Sequence, residues 1–274
     1  MKKRNNYKIK IKHGNIKVVF FLFVLLNAIG YSDENNDKGM SPIRKRIRKQ
    51  LSVIEWKKRY PQSEDLLEKN HPGSLLLSLL KGERKAKRTN IQKLINLCEN
   101  NQLIKKLWRQ YGSDQKKEYK EILPIFKEEV QALIDFVGSV PKNIHTLTLT
   151  VNPLDAYWRG YGLTVKGIGH IIIGPGSNQA KRNVIRHELI HILAPKIIIP
   201  HGLIEHPRNA VLEKMGYGTK TILNREYVVR ALHILYEIKA LEKDRKQAIS
   251  EESEFPKIEA VVDFVETKIK RRPL

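Results

Sequence analysis

Cysteine occurs once in this chain of 274 residues, as Cys98. A single thiol excludes an intramolecular disulfide and any metal site built from several cysteines. Cys98 closes the helical apolar pattern Ile91-Gln92-Lys93-Leu94-Ile95-Asn96-Leu97-Cys98, so it reads as a core residue. Long hydrophobic runs are missing too. The apolar stretch at 18–26 is shorter than the roughly 20 residues that a membrane span needs. No segment repeats, which excludes solenoids and propellers. Acids are scarce beside bases: 29 Asp and Glu face 51 Lys and Arg, a formal charge of +22. Such an excess suits an anionic partner, whether nucleic acid, an anionic membrane surface or a cell-wall polymer. No recognised nucleic-acid motif accompanies the dense basic runs at 43–49, 85–88 and 268–272. Solvated helix faces are the simpler reading.

What is present begins with a basic segment. Lys2, Lys3, Arg4, Lys8, Lys10, Lys12 and Lys17 precede the apolar run, and Ala28 and Gly30 follow it as small residues two apart. This order reads as a signal peptide or membrane anchor over 1–30, and so as an exported protein (periplasmic, secreted or membrane-anchored). A polar linker over 31–42 comes next. From 43 to 139 apolar residues recur at threes and fours, which predicts a helical region, with Pro124 at a kink or a helix start.

The texture changes near 144. Residues 144–151 alternate with period two and are rich in β-branched side chains, so they read as a strand. Residues 161–165 and 170–173 read as two more, joined by a hairpin signal at 166–169. Helices are expected over 178–193, 206–216, 224–246 and 255–269. The fold class is therefore α+β, mainly helical, with a small mixed or antiparallel sheet packed on the helix at 178–193. The domain beyond 140 carries the chemistry.

That helix contains His187-Glu188-Leu189-Ile190-His191, one HExxH. Positions i and i+4 share a helix face, so His187 and His191 can turn two imidazoles toward one Zn²⁺. Glu188, one position on, is placed to act as general base. Apolar Val184, Ile185, Leu189, Ile190, Ile192 and Leu193 surround the motif. A catalytic zinc takes a third protein ligand. Downstream candidates include His201, Glu205, His206, Glu213, Glu226, His233 and Glu237. Position 197 is Ile, so a histidine six residues after the second ligand is lacking.

Together with Asn224-Arg225-Glu226-Tyr227-Val228-Val229-Arg230-Ala231-Leu232, the motif resembles the gluzincin-type zinc metallopeptidases, particularly little-characterised exported bacterial ones, over residues 144–245. The resemblance implies a zincin-like catalytic domain over 140–274 and a glutamate ligand on the later helix. Glu226 matches, and Asn224 is expected to cap that helix and leave Glu226 in its first turn. Glu213 is the second choice for the ligand. Glu205 and His206 are loop alternatives. Arg230, four residues after Glu226, is expected to hold it or to bind a substrate carboxylate. The resemblance also makes 170–174 the sheet edge that lines the substrate cleft, with His170 and Ile171 touching the peptide. Tyr217, Tyr227, His233 and Tyr236 are candidate oxyanion donors. The implied function is peptide-bond hydrolysis. The competing reading is a non-catalytic basic surface-binding protein on a degenerate peptidase fold, against which intact Glu188 counts.

Overall fold

The computed structural model describes residues 9–14, 16–31, 39–51, 71–82, 90–138, 140–200, 202–204 and 219–270. The chain divides into two compact units, residues 1–127 with 143–185 and residues 128–142 with 186–274. The fold is α+β, mainly helical with one small mixed sheet. The expected linker residues 32–38 and the helix expected over 206–216 lie outside the described residues, as do His201, Glu205, His206, Glu213 and Tyr217.

The first unit holds the sheet. Its strands are β1 (Lys10–His13), β2 (Thr146–Val151), β3 (Gly160–Val165) and β4 (Ile168–Ile173), in the order β1-β2-β4-β3. β2 runs parallel to both β1 and β4, while β3 and β4 form an antiparallel hairpin. The hairpin turn is Lys166-Gly167, with φ of 50° and 77°. Both central residues are left-handed, as a tight two-residue turn requires. A Cβ on Gly167 would also stand 2.6 Å from the His145 ring, so glycine is needed there for space as well.

β1 was not anticipated. It lies in the basic segment expected to lead a signal, where Lys10 and Lys12 are exposed and Ile11 and His13 are half-buried. The alternation is period two, yet the charge hides it. A parallel partner also leaves no turn signal, because its mate is far along the chain. His13 stacks on Tyr119 at 4.2 Å.

Helix α1 (Ile16–Ala28) follows, and every residue from Val19 to Ala28 is buried. It is apolar all round, the pattern of a helix inside a core. α2 (Pro42–Leu51), α3 (Pro72–Lys81), α4 (Asn90–Asn100) and α5 (Gln102–Val137) come next. The core of the unit gathers Phe20, Phe23 and Leu26 of α1 with Leu76, Cys98, Tyr111, Tyr161 and Ile172. Phe20 meets Tyr111 at 4.6 Å and Trp108 at 5.1 Å. Asn27, wholly buried, donates to the carbonyls of Phe23 and Leu154 and accepts from Arg44 Nε at 2.9 Å. Arg44 is itself wholly buried and also donates to the Tyr31 carbonyl, so one cation of the dense run at 43–49 is structural. The apolar run within the segment expected to be a signal or anchor forms this helix. No helix among the described residues is long and apolar enough to cross a membrane.

Pro124 lies inside α5, which continues through it. Pro124 and Lys120 are both exposed. The proline ring carries no N–H, so the helix lacks the hydrogen bond from position 124 to the Lys120 carbonyl. Strand β2 pairs with β1 on one side and with β4 on the other, all within the first unit.

The second unit takes the end of α5, the second half of α6 (Asn178–Leu193), then α7 (Lys220–Ala240), α8 (Arg245–Ser250) and α9 (Ile258–Lys270). α7 packs on α9 and on the turns before it. Tyr227 meets the Phe255 ring edge-on at 5.2 Å, and its hydroxyl donates to the Pro256 carbonyl at 2.8 Å. α7 starts earlier than expected. Thr219 is the N-cap, accepting from Ile222 N, and Asn224 lies within the helix. Glu226 therefore stands in the second turn, out of reach of the helix N-terminal dipole. The helix also stops at Ala240 rather than near 246, since Glu242 takes a left-handed φ of 55°.

Candidate metal centre

α6 carries the HExxH from the position the periodicity indicates. Its first turn is held by Ser177, whose Oγ accepts from Ala180 N. Apolar Leu189, Ile190, Ile192 and Leu193 are buried. His187 and His191, one turn apart, have ring centroids 5.0 Å apart and keep part of each side chain open, 18% and 17%.

α7 brings Glu226 to them. Its Oε1 lies 3.3 Å from His187 Nε2 and its Oε2 lies 3.3 Å from His191 Nε2. One ligand atom from each of the three lies within 4.8 Å of the others. Glu226 is 3% exposed. Burial alone would raise its carboxyl, but the charge and hydrogen bonds of His187, and then of His191, hold it well below the usual range. His187 moves the other way. Burial would lower it, while the charge and hydrogen bond of Glu226, with Glu188 beside it, outweigh burial and raise it. Two imidazole nitrogens and a carboxylate facing one point are the His₂Glu donor set of catalytic zinc. The residues therefore fit such an ion.

Three further contacts hold the two helices of the group. Arg225 Nη2 donates to the His191 carbonyl at 2.5 Å, closing the last turn of α6. Arg186, beside His187, makes a two-pronged pair with Glu129 at 2.8 and 3.2 Å, both residues almost wholly buried. The Arg186 guanidinium also covers the Tyr236 ring at 4.6 Å. Arg230 Nε donates to Glu226 Oε1 at 2.9 Å, and its Nη1 reaches Glu252 and Glu254. Of these three arginines, the sequence pattern gave a role to Arg230 alone. Glu129, Glu252 and Glu254 meet their partners across long sequence separations, and no local spacing marks such pairs.

Glu188 is 7% exposed, on the same helix turn as His187. Among the described oxyanion candidates, Tyr227 is bonded to Pro256, and Tyr236 packs between Arg186 and Phe136. His233 is the one beside the group, its ring 6.1 Å from that of His187. Its Nε2 is buried and has no hydrogen-bond partner among the described residues, with Glu237 Oε1 3.8 Å away. Burial, then the nearby charges of His187, Arg186, Arg230 and Lys243, hold it well below the usual histidine value.

His170 and Ile171 belong to the first unit, on β4. Ile171 is wholly buried, and His170 is half-buried with Nδ1 3.0 Å from Thr148 Oγ1. Burial lowers the His170 pKa. Compared with protein-family models, with curated proteins and with solved structures, the chain matches none.

Proposed function

We propose that this chain is a zinc-dependent metallopeptidase with a zincin-like catalytic core, in which His187, His191 and Glu226 hold the ion and Glu188 is the general base. The observation that carries the reading is the meeting of those three side chains at one point, although Glu226 comes from a second helix, 35 positions after His191 in sequence. A zinc ion bound there supplies a Lewis acid that polarises a carbonyl and acidifies water toward a pKa of about 7.

The chain's own groups do the rest. Glu226, buried and charged, offsets part of the ion's charge and stays ionised through its contacts with the two imidazoles. Glu188 takes a proton on its carboxylate as water oxygen bonds to the peptide carbonyl carbon. When the C–N bond breaks, the same proton passes from Glu188 to the leaving nitrogen. His187 and His191 hold the ion only when neutral, so loading weakens in acid as they protonate.

The test uses the full-length protein, metal analysis and a peptide library. Wild type carries close to one zinc and cuts peptides. Glu188→Gln keeps the zinc and loses at least about a hundredfold in rate, the scale of a lost general base. Wild type that holds no zinc after purification in zinc-containing buffer would sink the reading. Zinc binding with no peptide cleaved favours the non-catalytic, basic surface-binding alternative, which the charge of +22 supports.

A further inference from the structure

We propose that Arg230 is a positioning residue, and that it ties Glu226 to a carboxylate platform made by Glu252 and Glu254 between α8 and α9. The inference rests on the metal-binding reading above and extends it to residues outside the ligand set.

The geometry is specific. Arg230 lies one helical turn beyond Glu226, so the two share a face of α7. Its Nε donates to Glu226 Oε1 at 2.9 Å, the same oxygen that faces His187 at 3.3 Å. Its Nη1, on the far side of the guanidinium, donates to Glu252 and, at 3.4 Å, to Glu254. A planar fork can hold two acids at a fixed spacing, which the point charge of a lysine cannot do. The guanidinium also covers the Phe255 ring at 4.3 Å. Phe255 is 1% exposed and is clamped by Tyr227 from α7. The platform is therefore fastened to α7 by an aromatic contact as well as by charge.

A substrate carboxylate would have to compete with three protein carboxylates for this guanidinium, whose side chain is only 14% exposed. The bridge instead fixes which way Glu226 points. Groups that orient a ligand in this way change metal affinity by about 10- to 100-fold when removed.

The experiment measures zinc affinity of the full-length protein by chelator competition, and the visible spectrum with cobalt(II), whose bands report coordination geometry. The melting point of the metal-free protein is followed beside them. Glu252→Gln with Glu254→Gln, and separately Arg230→Lys, should each weaken zinc at least about tenfold and shift the cobalt bands. The double glutamine variant replaces partly exposed acids, so it keeps its metal-free melting point. Arg230→Lys should not restore wild-type affinity although it keeps the charge. Unchanged affinity and spectrum in the double variant, with wild type binding zinc, overturns the platform and leaves the metal site standing. A wild type that binds neither zinc nor cobalt overturns both.

Discussion

Asp155 lies fully buried just past β2, where one carboxylate oxygen accepts from the Tyr31 hydroxyl at 2.9 Å and from Ala156 N at 2.7 Å. Burial pushes its carboxyl up to about 6, against the pull of those two donors, Arg159 and Tyr161. The folded protein thus keeps a proton that the unfolded chain releases near pH 4. The sign follows: between roughly pH 4 and 6 the native state binds more protons, so stability falls as pH rises, by about 3 kcal/mol in all. Urea midpoints measured across that window should fall in wild type and run flatter in Asp155→Asn. A slope that persists in the variant assigns the effect elsewhere. Nothing local in Asn152-Pro153-Leu154-Asp155 announces this group, because its environment is built by Tyr31, 124 residues away. His187 and His191 were legible for the opposite reason. Their partnership is one helical turn long, and period alone reveals it. Glu226 lay between these cases. Its residue type, its helix and its partner Arg230 could be named beforehand, while the cap of that helix could not.

At the scale of elements, α6 and the β3–β4 hairpin match their sequence signals, since each is encoded by short-range pattern and turn chemistry. α1 and β1 do not. A basic segment followed by a short apolar run describes an export signal and a buried core helix equally well, and only tertiary packing separates them. The packing yields a firm expectation. Deleting residues 1–30 removes β1, α1 and the cover of Trp108 and Tyr111. The truncated protein should lose the near-ultraviolet dichroism of its first unit and aggregate. The milder Phe23→Ala should cost about 3–5 kcal/mol in denaturant unfolding, as for a fully buried aromatic. A truncated protein that keeps its aromatic signals and melting point would support the reading of a removable leader.

Taken whole, the molecule carries 22 more positive than negative charges. Its buried Arg44 and the paired Arg186 account for little of that excess, which leaves the surface cations to repel one another. Raising sodium chloride from about 0.05 to 0.5 M shortens the screening length from above 10 Å to below 8 Å and should raise the thermal midpoint. A midpoint that falls with salt would show that attractive ion pairs, such as Lys243 with Glu237 and Glu251, outweigh the repulsion. The parallel pairing of β1 with β2 has a further consequence, in time. Lys10 is matched to Thr146, so roughly 130 residues must be synthesised after β1 before its partner strand exists. At about 5–20 residues per second that takes roughly 7–26 s. For that interval α1 is an apolar segment behind a basic one whose cover is incomplete, because Tyr161 and Ile172 of its cluster have not yet been made. On the ribosome the nascent chain therefore shows a basic and apolar segment, the pattern of an export signal, before β2 to β4 exist to pair with β1 and complete the unit around α1.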